Sequence, residues 1–224
     1  SLMFDSLATI IGCELRKTIR NYSESVYSLL FFTMALVLFP FALGSDITML
    51  SKVISAAIWV SVLFSMSLSL DVLYRADYAD GTLENIVLSG TPLALVGMGK
   101  SISHWVLSAA PIVLIAIPIG LSLDLNGRVL YTLVVALGLC TATISLIGGA
   151  ICALTAGLRG SAVLLTILLI PTYCPLIIFG ASATSNAALG LDVSGEFYFL
   201  SGMLLLAFCL APWATSYSLR ARLS

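Results

Sequence analysis

Six separate runs of about 20 predominantly apolar residues dominate this chain, and each is long enough to cross the hydrocarbon core of a bilayer as a helix. They are Ser25 to Leu43, Val53 to Leu73, Ser101 to Leu123, Val129 to Leu154, Ser161 to Ser182 and Phe197 to Leu219. A spanning segment must satisfy its own backbone, so the runs predict helices, and the fold class is an all-α polytopic membrane protein. Short connections leave almost no mass for a soluble domain. With 60% hydrophobic and 9% charged residues the chain lies far from soluble composition.

The basic residues orient the spans. With the N-terminus inside, Arg16, Lys17, Arg20, Arg75, Lys100, Arg159, Arg220 and Arg222 fall on the cytoplasmic side, and only Lys52 and Arg128 outside. This asymmetry follows the positive-inside rule and predicts two cytoplasmic termini. The first run lacks a small-residue cleavage site, so the first span is expected to remain in the mature protein. A net charge of −1 carries no signal for nucleic acid.

Ahead of the first span, Phe4, Leu7, Ile11, Leu15 and Ile19 recur at helical spacing among Glu14, Arg16, Lys17 and Arg20. Residues 1–24 are therefore expected to form an amphipathic helix in the cytoplasmic interface, and residues 25–224 the six-helix membrane domain.

The longest polar island follows the second span, within a segment covering residues 74–92. Asp71 and Arg75 stand four apart in the favourable order for an ion pair. Asp80 is expected to cap the N–H groups of Thr82 or Leu83, with Leu83, Ile86 and Val87 on one face and Gly90 and Pro92 as the stop. The result is a short cytoplasmic helix, greasy on one side and acidic on the other, suited to contact a soluble partner.

Several patterns are weaker. Pro40, Pro111, Pro118, Pro171, Pro175 and Pro212 interrupt four spans. The pair Pro171 and Pro175, followed by the small polar run 181–186, is the best candidate for a broken, gating or re-entrant segment. Ser145, Gly149 and Ala153 form a small-residue stripe for close helix packing. Residues 94–101 come within one residue of a phosphate-loop pattern, but no α/β domain can surround them, so Lys100 is expected to be an interfacial anchor. His104, the single histidine, leaves two readings open, a haem-iron ligand or a bond to a neighbouring helix; a multi-histidine metal site is excluded. Cys13, Cys140, Cys152, Cys174 and Cys209 form no C-x-x-C pair and are expected to be packing residues. No hydrolase constellation is present, and the near-absence of mid-membrane charge argues against an ion-coupled carrier. Energy must come from a partner.

Arg75-x-Asp77-x-x-Asp80-Gly81-Thr82-Leu83-Glu84, Lys100-x-x-x-His104-Trp105, and Leu154-Thr155-x-Gly157-Leu158-Arg159 leading to Pro171, Pro175 and Leu176 to Phe179 together resemble the CcmB family of haem-exporter permeases. Leu38-Phe39-Pro40 and Ile58-Trp59-Val60 extend the resemblance over nearly the whole length. The family tends to carry paired basic residues and paired glycines after the fourth span, whereas here Arg159 precedes Gly160, Ser161 and Ala162.

The resemblance implies a six-span ABC-2-type permease of a bacterial inner membrane. It implies an ATPase partner, CcmA, that binds and hydrolyses ATP, together with CcmC, CcmD and the haem chaperone CcmE. The chain itself would be non-catalytic, coupling ATP hydrolysis to haem export or to release of the loaded chaperone. The expected coupling residues are Arg75, Asp77, Asp80, Gly81, Thr82, Leu83, Glu84, Ile86 and Val87. One six-span chain is half an exporter, so a second copy is expected. Two alternatives remain: a structural anchor for the ATPase without a path of its own, and an exporter of another substrate.

Overall fold

The computed structural model describes residues 9–17, 23–43, 47–88, 90–122, 125–158 and 160–223. Residues 9–17 form helix α1; the remainder of the amphipathic stretch expected over 1–24, apart from the first turn of the next helix, lies outside the described residues. There follow α2 (Ser23–Leu43), α3 (Ile47–Asp71), α4 (Arg75–Ala79), α5 (Thr82–Leu88), α6 (Leu93–His104), a π-helical turn (Trp105–Ala109), α7 (Ala110–Ser122), α8 (Gly127–Thr155), α9 (Ser161–Ala188) and α10 (Ser194–Leu223). Among the described residues five stretches are long and apolar enough to cross a membrane: Val53–Ala79, Leu93–Ser122, Gly127–Thr155, Ser161–Ala188 and Ser194–Ala221. The first apolar run forms α2, whose apolar portion Val26–Ala42 is shorter than these.

The central helix is α8, which packs on α3, α6, α7, α9 and α10. Its small-residue stripe explains the close approaches. A Cβ on Gly149 would meet Ser101 Oγ of α6 at 2.3 Å, and one on Gly148 would meet a Leu70 methyl of α3 at 2.3 Å. On α3 the buried residues Ile58, Val62, Met66 and Leu70 recur every four residues, the spacing that lays one helix face along another. Large apolar side chains such as Met34, Phe41, Tyr198 and Trp213 point outward, as they do where lipid replaces water as the outer solvent.

Two expectations are corrected here. The third span does not start at Ser101 but at Leu93, so Lys100 and His104 lie two and three turns inside a helix. The apolar-run reading stopped at the charge. The prolines at 171 and 175 do not break the fifth span, and residues 181–186 are not re-entrant: α9 is one continuous helix from Ser161 to Ala188. Membrane helices tolerate proline where neighbouring groups absorb the lost bond. Another proline leaves a mark elsewhere. The π turn ends two residues before Pro111, with Ala110 N–H bonded to the Trp105 carbonyl five residues back, a widening that relieves the crowding a proline ring imposes on the preceding turn.

Contacts fix which helix ends lie together. Gly97 of α6 abuts Thr215 of α10, and Gly157 after α8 abuts Tyr78 of α4, so α4, α5 and the carboxyl ends of α8 and α10 share one end of the bundle. At the opposite end Arg128 donates to the carbonyls of Gly190 and Leu191 at 3.3 and 2.6 Å, tying the start of α8 to the α9–α10 turn.

Candidate functional site

The polar island folds into a two-helix foot. Asp71 and Arg75 form the i,i+4 ion pair that their spacing predicts. Asp80 closes α4 with its backbone N–H on the Ala76 carbonyl, and Gly81 N–H donates to that of Tyr78, so the cap expected from the Asp80 carboxylate onto α5 is replaced by a turn through Gly81 at φ 68°. Leu83 is buried, and Ile86 and Val87 pack against the core beside it; Arg75, Asp80, Glu84 and Asn85 face outward, while Gly81 and Thr82 are half-buried. The greasy and acidic faces thus sort as the pattern predicts. Beneath the foot a cleft of 370 Å³ opens between Asp71, Tyr74, Tyr78 and the turn after α8, with Thr155, Gly157 and Leu158 on its far wall.

Asp77 departs from that division. It is 3% exposed and turns inward, binding both Lys17 of α1 and Lys100 of α6. Lys100 is 1% exposed and also reaches Glu14 Oε2 of α1 at 2.9 Å. The ring of Tyr74 lies 5.3 Å from the same ammonium, within cation–π range. Lys100 is therefore a buried ion-pair centre and not an interfacial anchor. Partial burial pulls the Lys17 amine down, but the hydrogen bond and charge of Asp77, with Glu14 nearby, outweigh it and leave its pKa raised. Two ammonium and two carboxylate groups balance, which is the condition for charges to persist away from water.

One turn further along α6, His104 is 5% exposed, with Nε2 2.8 Å from Ser69 Oγ of α3 and Nδ1 3.0 Å from Ser145 Oγ of α8. Both ring nitrogens are thus occupied by hydroxyl partners, the helix-bonding reading of the two that the sequence leaves open. Trp105 adds a bond from Nε1 to Thr141 Oγ1 at 3.1 Å. Among the described residues no group of His, Cys, Asp or Glu is placed to hold a metal ion. Pro171 and Pro175 lie within α9; Arg159 lies outside the described residues. The cluster around Lys100 escaped sequence reasoning because its members are distant in the chain; its one visible signal was a lysine in a run that the structure continues as helix.

A family model described as CcmB protein matches residues 5–222. The chain belongs to the CcmB family. It is similar to "Heme exporter protein B" of Haemophilus influenzae, with 36% identity covering 96% of this chain and 97% of that protein. The proteins of the same description from Paracoccus denitrificans and Escherichia coli K12 are 36% and 34% identical, each match covering 94% of this chain and 96% of the relative. In this CcmB chain the buried charge of Asp77 pins α4 to α1 and α6, and the outward acids follow it, Asp80 at the end of α4 and Glu84 on α5.

Proposed function

We propose that this CcmB chain is the membrane permease subunit of a haem-export or cytochrome c maturation ABC transporter, and that the foot is the surface gripped by a partner ATPase. The chain is non-catalytic in this reading, and ATP is hydrolysed in the partner, CcmA. CcmC, CcmD, the chaperone CcmE and a second copy of the chain complete the assembly in the bacterial inner membrane, with both termini and the foot cytoplasmic. The observation that carries the coupling role is the division of the foot, with Asp80 and Glu84 outward and Leu83, Ile86 and Val87 inward. An acidic, rigidly mounted helix at a membrane surface has the shape of a part that a soluble motor can hold. Names of the relatives as haem exporters supply the substrate class.

Replacing Asp80 and Glu84 together with alanine should reduce co-purification of the ATPase while leaving the chain in the membrane. Undiminished assembly and ATPase activity would remove the coupling role from the foot.

A further inference from the structure

The foot is attached to more than the second span. Helix α1 turns Ile10, Glu14 and Lys17 to one side, at i, i+4 and i+7, and each of them meets the protein. Ile10 lies against α6 where Gly99 leaves room, its Cγ2 only 2.5 Å from the place a Cβ would take. Glu14 binds Lys100, and Lys17 binds Asp77. Three segments distant in sequence therefore meet at one buried, charge-neutral cluster, and its only fully enclosed cation is Lys100 among the four groups, at 1% side-chain exposure against 4% for Asp77, 17% for Glu14 and 45% for Lys17. An ammonium enclosed this way has few alternative partners, because drawing it away from both carboxylates would leave it unpaired in a low-dielectric setting.

We propose that Lys100 is a positioning residue that yokes the foot to the third span and to α1, so that α1, α4, α5 and the first half of α6 move as one body when the ATPase closes. The foot's displacement is then delivered to α6 and not only to α3, from which the foot hangs by the short turn at Val72, Leu73 and Tyr74. His104, one turn beyond Lys100, carries the motion on to α3 and α8 through Ser69 and Ser145. This inference rests on the reading of the foot as the ATPase contact.

The test uses the full chain in complex with its ATPase, spin-labelled at Cys13, which is exposed on α1, and at Asn85→Cys on α5, with Cys174→Ala and Cys209→Ala removing the other exposed thiols. Pulsed dipolar spectroscopy with and without ATP should return one narrow distance that nucleotide does not change. In Lys100→Met/Asp77→Leu, which removes a cation and an anion together, the distribution should widen by several ångströms or shift with nucleotide. The ATPase should still co-purify, because Asp77, expected from the resemblance to be a coupling residue, turns inward and the outward Asp80 and Glu84 are untouched. A wild-type distance that moves with nucleotide, or a double variant as narrow as wild type, overturns the proposal. Should the double variant fail to fold, Glu14→Gln replaces it, with intermediate widening expected and an unchanged width overturning the idea. Undiminished ATPase binding by Asp80→Ala/Glu84→Ala would refute the foot reading instead, and the narrow distance in the otherwise wild-type chain would still report the yoke.

Discussion

Gly157 gives a quantitative check on how the foot rests on the bundle. It follows α8 at φ 76°, and a Cβ there would lie 2.2 Å from Tyr78 Cζ and 2.5 and 2.6 Å from the two Cε atoms. Gly157→Ala therefore carries two separate costs. Left-handed backbone costs an L-residue about 1–2 kcal/mol. The Tyr78 ring is 44% exposed, so it can swing away, at the loss of its buried face, about 1 kcal/mol. The single substitution should destabilise by about 2–3 kcal/mol in total. In a Tyr78→Ala background only the backbone cost remains, about 1–2 kcal/mol, giving a coupling of about 1 kcal/mol. Equilibrium unfolding of the purified chain in mixed micelles, followed by the fluorescence of Trp59, Trp105 and Trp213, measures all four corners of the cycle. Equal costs in the two backgrounds would show that Tyr78 does not rest on this turn.

Three further outcomes are expected. Gly180→Ala should cost about 1–3 kcal/mol by overpacking, because a Cβ there would sit 2.3 Å from Trp59 Cη2 and that ring, 2% exposed, has nowhere to go; Trp59→Phe should recover part of the loss in the same unfolding assay. His104→Leu should lower stability by about 1 kcal/mol and leave any haem-induced absorption band of the purified chain unchanged in a haem titration, since both ring nitrogens already have hydroxyl partners. Cysteine scanning over residues 176–186 should give a helical period of labelling in wild type and in Pro171→Ala and Pro175→Ala alike; a continuous water-accessible run would contradict the unbroken α9.

Much of the architecture was legible because lipid imposes a length on every span and a period on every packed face. The i,i+4 pair of Asp71 and Arg75, the inward Leu83 and the close-packed Gly149 all follow from spacing within one helix. The start of the third span was not legible, because Lys100 terminates an apolar run by composition while the fold continues the helix through it. Its neutralising partners, Glu14 and Asp77, sit 86 and 23 residues away, and nothing in the local pattern announces them. For the same reason Asp77 reads as a surface acid beside Asp80 and Glu84, although it points the other way. Pro171 and Pro175 were misread in the opposite sense: a proline's lost bond is visible in sequence, and the surroundings that accommodate it are not.

The account turns on which face of the foot meets the motor. A photo-crosslinking amino acid placed at Glu84 in the intact membrane complex should join this chain to the ATPase, and the same probe at Tyr198, exposed at the far end of the bundle, should not. A probe at Glu84 that never reaches the ATPase, or that is modified by reagents confined to the periplasm, would contradict the account.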